Sequence, residues 1–154
     1  MSRSRGGSDA FLVGVFNKRK RFFFIQSGEP LGQFDFLDKA RYDITSTIGI
    51  LGCTLFSQVA HEQKDSISFG LNDFYHIGDW SVEAHQEAHR ADLEWLNREI
   101  DPISRLEPDR KIVVLTHYCP LTDKDVVDPP HANSKISSGF MTDLSGEVAG
   151  SGAL

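Results

Sequence analysis

Two cysteines, Cys53 and Cys119, are all this 154-residue chain contains. That is too few for a disulfide framework and fits a reducing compartment. No apolar run approaches the length of a membrane-spanning helix. The opening Met1-Ser-Arg-Ser-Arg-Gly-Gly-Ser has charge but no apolar region, and Phe11 to Phe16 is short and followed by Lys18-Arg19-Lys20-Arg21. A secretory signal is therefore not expected, and the expected location is intracellular and cytoplasmic, with no membrane partner. Also missing are a Gly-x-Ser-x-Gly elbow, a Gly-rich phosphate loop ending in Lys, and any internal repeat.

Positive charge is scarce over most of the chain. Residues 1–30 carry six Lys/Arg against two Asp/Glu, and residues 31–154 carry ten against twenty, within a net charge of −6. An acidic body argues against a nucleic-acid surface and is compatible with a site whose positive charge comes from bound metal. The basic run Lys18–Arg21 has the composition of a nuclear signal, and the plainer reading is a solvated turn between two apolar segments.

What is present is an α/β pattern. Ile48 to Phe56 and Lys111 to His117 read as strands, the second as a buried strand of a parallel sheet because its aliphatic run is continuous. Gly49 and Gly52 suggest that another part of the chain packs closely on the first strand. Ser81 to Ile100 reads as a helix: Ser81 is a natural N-cap, Ala84, Ala88, Ala91, Leu93, Trp95, Leu96 and Ile100 form its apolar face, and Asp101-Pro102 ends it. Strand 48–56, helix 81–100 and strand 111–117 would make a right-handed βαβ unit. Phe11 to Phe16 and Phe34 to Leu37 read as short strands, Asp43 to Thr47 as a turn, and His61 to about Trp80 as a long polar loop. Residues 1–10 read as disordered.

The residue carrying most chemical interest is His117, which sits where a strand delivers its carboxyl end, the edge at which open α/β sheets bind ligands. An imidazole there can ligate a metal, although a lone histidine after an apolar strand is more often only hydrogen-bonded. His85 and His89 share a helix face at metal-ligand spacing, but Glu87 is in the wrong place for the zinc-protease signature, and a solvated or partly buried face is the simpler account. Cys119 could be a thiol activated by His117, yet a cysteine phosphatase needs an arginine six positions on, where this chain has Asp125. Cys119 and Cys53 then read as small buried thiols.

Several segments together resemble the calcineurin-like metallophosphoesterases, specifically a branch of small members. They are Ile50–Ser57, Asn72-Asp-Phe, Asp79-Trp80, His85-x-x-Ala-His89 with Asp92–Asn97, Val113–Pro120, and Ser137–Glu147. The resemblance spans about residues 34–147 and implies an α/β/β/α sandwich with two divalent metals, such as Mn, Fe or Zn, at the strand ends. It implies hydrolysis of a phosphomonoester or phosphodiester, on a small molecule or a phosphoprotein, by a metal-bound hydroxide. His117 matches the family histidine that follows a hydrophobic strand and ligates one metal.

The departures are equally specific. The family pattern opens with Asp-x-His and continues with Gly-Asp-x-x-Asp, Gly-Asn-His-Asp/Glu, the strand-end His, and Gly-His-x-His. Only the fourth block is here: Gly78-Asp79 is followed by Val82 where the second Asp should be, and no His-x-His occurs. The expectation is a basic, atypical N-terminal segment (1–30), a partial phosphoesterase domain (31–147) and a tail (148–154), with the missing blocks belonging before residue 30 and after residue 147. Such a chain would be catalytically inactive, with no catalytic residue assigned and His117 its one metal-ligand position. The alternative expectation is a non-catalytic remnant that binds a partner through an exposed sheet face, with aggregation as the physical risk.

Overall fold

The computed structural model describes residues 11–15, 21–25, 35–131 and 133–148, and the chain divides into two compact units, Met1–Phe36 and Leu37–Leu154. In the first, β1 (Phe11–Val15) and β2 (Arg21–Ile25) pair antiparallel, with Phe11 opposite Ile25 and Val15 opposite Arg21. The basic run at 18–20 and the expected disorder at 1–10 fall outside the described residues.

The second unit is built on a three-stranded sheet. β3 (Ala40–Asp43) runs antiparallel to β4 (Ile48–Cys53), and β4 runs parallel to β5 (Lys111–Thr116), in the order β3-β4-β5. The crossover contains α1 (Lys64–Gly70), α2 (Asp73–His76) and the long α3 (Val82–Leu106). The general α/β class and the β4-α3-β5 order thus agree with the sequence. The stretch from His61 to Trp80 is not a structureless loop: a turn of 3-10 helix at His61–Gln63 and two short helices occupy it, and Ile67 and Leu71 anchor a small second core with Val59 and Val82.

Three further expectations change. No strand forms over residues 35–37; Leu37 instead lies across β4, where a Cβ placed on Gly52 would come within 2.3 Å of the Leu37 Cβ. The strand forms at Ala40–Asp43, where Arg41 and Arg110 both bond Asp43 and hide the strand's polarity in ion pairs. Finally, α3 does not stop at Asp101-Pro102. It continues to Leu106, because Ile103 on the next turn is buried and Arg105 reaches back to the Asp101 carboxylate. Pro102 removes its own backbone donor and crowds the carbonyl of the preceding turn, and the helix continues past it all the same.

One face of the sheet packs on α3. Leu51 and Cys53 from β4 meet Trp95 and Leu96, Leu144 joins from the C-terminal segment, and Ile112 and Val114 flank the cluster. The opposite face of β5 is different: Val113 is 47% exposed and Leu115 50%. β5 is therefore not buried on both sides, and its continuous aliphatic run conceals an alternating inside-outside pattern.

Candidate functional site

The carboxyl ends of β4 and β5 lie side by side, with Cys53 opposite Thr116. Beyond β4 the chain turns sharply. Leu55 (φ 71°) and Phe56 (φ 42°) both occupy the left-handed region, which costs a branched or aromatic residue about 1–3 kcal/mol each unless the surroundings impose it. Helix α3 imposes it. The Asp92 carboxylate accepts the Leu55 N–H at 2.7 Å, and the His89 Nδ1–H donates to the Leu55 carbonyl at 2.8 Å. One turn earlier, His85 Nε2 accepts the Ser57 N–H at 3.1 Å and lies 2.9 Å from the Ser57 hydroxyl.

The buried stripe of α3 therefore runs through His85, His89 and Asp92 before it reaches Leu96 and Ile103, while Ala84 and Ala88 are half-buried and Ala91 is exposed. Apolar periodicity alone passes over these three polar residues. The available signal is that positions 82, 85, 89, 92, 96 and 103 follow one helical stripe. Contrary to expectation, His85 and His89 are neither solvated nor partly buried; they satisfy backbone groups of the β4 loop. The second Asp92 oxygen accepts from Lys39 Nζ at 2.9 Å, and this bond is the main cause of the raised Lys39 pKa.

Ser57 and His85 have the separation of a nucleophile and its base, but they lack the chemistry. Ser57 is fully buried, the His85 Nε2 lone pair already receives a backbone N–H, and Nδ1 has no carboxylate on it. A ring enclosure of Phe56, Phe74, Trp80 and Tyr118 surrounds the imidazole. Burial pushes the His85 pKa down to about 4; Asp73 opposes that shift and His89 adds to it. His85 is thus neutral, with its proton on Nδ1.

His117 follows β5 directly and is exposed. Its backbone N–H and that of Tyr118 both donate to the Thr54 carbonyl at 3.2 Å, and its ring meets the Tyr118 ring edge-on at 5.1 Å. The Tyr118 hydroxyl donates to Asp73 at 2.7 Å, and burial, followed by this bond, raises the tyrosine's pKa. Among the described residues, no three His, Cys, Asp or Glu side chains come together as a metal site. His117 as given does not fit a dinuclear centre, which needs several ligands for each ion.

Cys119 is half-buried and tied into the backbone: its N–H donates to the Phe140 carbonyl and its carbonyl accepts from Thr142. Cys53 is buried, and desolvation lifts its thiol to about 12, so it is chemically inert. Residues 137–142 close back over the β4 loop. Gln58 N–H donates to Thr142 Oγ1, Ala60 N–H donates to Ser138 Oγ, and the Gln63 side-chain carbonyl accepts the Ser138 N–H. No family model, curated protein or solved structure matches this chain.

Proposed function

We propose that this chain is built on the frame of a calcineurin-like metallophosphoesterase, a hydrolase of phosphomonoesters or phosphodiesters, and that its 154 residues are catalytically inactive. The observation that carries the reading is convergence. The segments of the resemblance meet around two parallel strand ends: Asp73 bonds Tyr118, the 85–92 helix face bonds the loop at 55–57, and Thr142 bonds Gln58. Ligands bind at that edge of α/β sheets. His117 is the proposed metal-ligand position, and an α/β/β/α sandwich is the proposed fuller architecture.

In such enzymes the metals activate a water and stabilise the attacking and leaving oxygens. The described residues of this chain do not assemble that centre, so none of them is given a catalytic step. A small phosphoester or a phosphoprotein is the substrate class that goes with the frame. The test is a Zn²⁺ titration followed through the histidine ring resonances. His117 should respond at lower Zn²⁺ than His61, His76 and His131, which are also exposed. An equal response from all four would overturn the ligand assignment.

A second reading, a non-catalytic binding protein, is favoured by the exposed apolar pair Val113 and Leu115 on one face of β5. It goes with a chain in which Zn²⁺ selects no histidine.

A further inference from the structure

The bonds between α3 and the β4 loop continue one step further, to His117. Asp92 accepts the Leu55 N–H and His89 donates to the Leu55 carbonyl, so the two side chains hold the peptide units on either side of the Leu55 Cα. The preceding residue, Thr54, presents the carbonyl that receives the N–H groups of both His117 and Tyr118. The path from helix to strand end is thus a short series of hydrogen bonds joined by one peptide unit. Its central residue, Leu55, has a backbone conformation that an L side chain rarely adopts.

We propose that Asp92 and His89 are positioning residues for His117: Asp92 fixes the planar 54–55 peptide by accepting its N–H, His89 holds the peptide that follows, and together they keep in place the Thr54 carbonyl and the backbone from which the His117 imidazole projects. This rests on the reading of His117 as a ligand position for its purpose, but the mechanical claim is separate. Both residues are buried to within 3% of full enclosure, and neither can reach a ligand itself. The presence of His89 and Asp92 on an otherwise apolar helix stripe is accounted for by this role. An apolar residue at 89 or 92 would leave a Leu55 backbone group without its partner, and loss of the Asp92 bond would free the 54–55 peptide, with its Thr54 carbonyl, to rotate.

The test is amide hydrogen exchange by NMR on the full chain. Asp92→Leu removes both acceptor oxygens, and Asp92→Asn retains one that can face Leu55. In Asp92→Leu, exchange at Leu55, His117 and Tyr118 should accelerate by about tenfold or more relative to Val113, with Asp92→Asn restoring most of the protection. A merely structural role would accelerate all β5 amides together, and that result, or unchanged exchange at His117 and Tyr118, overturns the proposal. If Asp92→Leu does not fold, exchange in the wild-type chain under low denaturant decides. Leu55, His117 and Tyr118 should then open as one unit distinct from Val113, and separate openings overturn the proposal. Zn²⁺ response of the His117 ring, read on the wild-type sample, tests the ligand reading independently: its failure removes the purpose and leaves the exchange result to judge the mechanism.

Discussion

His85 Nε2 accepts the backbone N–H of Ser57 at 3.1 Å, a bond that only the neutral imidazole can make. Burial holds the folded pKa at about 4 against 6.5 for the free side chain. The unfolded chain therefore binds more protons between those values, so stability is full above pH 6.5 and falls as pH drops toward 4. The loss over that window is roughly 3 kcal/mol. Urea unfolding from pH 7 to pH 4 should show it. His85→Gln keeps an acceptor near the Nε2 position and should show a shallower fall, at lower stability near neutral pH.

Asp92 and Lys39 should differ in cost although they are paired. Asp92→Leu leaves the buried Leu55 N–H without an acceptor, which costs about 1–3 kcal/mol. Lys39 is 44% exposed, and water can take its place on the outer oxygen. Lys39→Ala should therefore cost no more than about 1 kcal/mol. Denaturant midpoints of the two variants check the order.

Glycine substitutions in β4 test the close approach of Leu37. A methyl group on Gly52 would meet the Leu37 Cβ at 2.3 Å, whereas on Gly49 the nearest atom is a side-chain oxygen of Asp43 at 3.0 Å. Gly52→Ala should destabilise by about 1–3 kcal/mol, Gly49→Ala by less, and Gly78→Ala, with open space around it, least. Thermal melts of the three variants give the ranking.

Pro102 lies inside α3, which continues to Leu106. Pro102→Ala restores a backbone donor in a helix interior and should stabilise by about 1–3 kcal/mol. A fall in melting temperature would mean that the ring makes contacts worth more than the missing bond.

The parts of the fold that follow a simple period were legible. Alternating and continuous apolar runs marked β4 and β5, and a Ser81 N-cap, which accepts the Ala84 N–H, marked the start of α3. Of the candidate site, the sequence marked His117 as a proposed ligand position and His85 and His89 as a shared helix face, without the backbone role the latter two have. The backbone-binding role of His85, His89 and Asp92 was hidden because polar residues on a buried stripe look like a solvated face until their backbone partners are known. β3 was hidden because Arg41 and Asp43 read as surface charge, and the open face of β5 because a run of aliphatic residues does not reveal how many of its sides are covered.

We propose for this chain the frame of a phosphoesterase site without its assembled centre. The most direct measurement is hydrolysis of an activated aryl phosphomonoester and diester by the purified 154-residue chain, with Mn²⁺ or Zn²⁺ added. The account predicts no turnover above that of metal alone, and the same background for His117→Ala. Metal-dependent turnover by the wild-type chain that disappears in His117→Ala would contradict it.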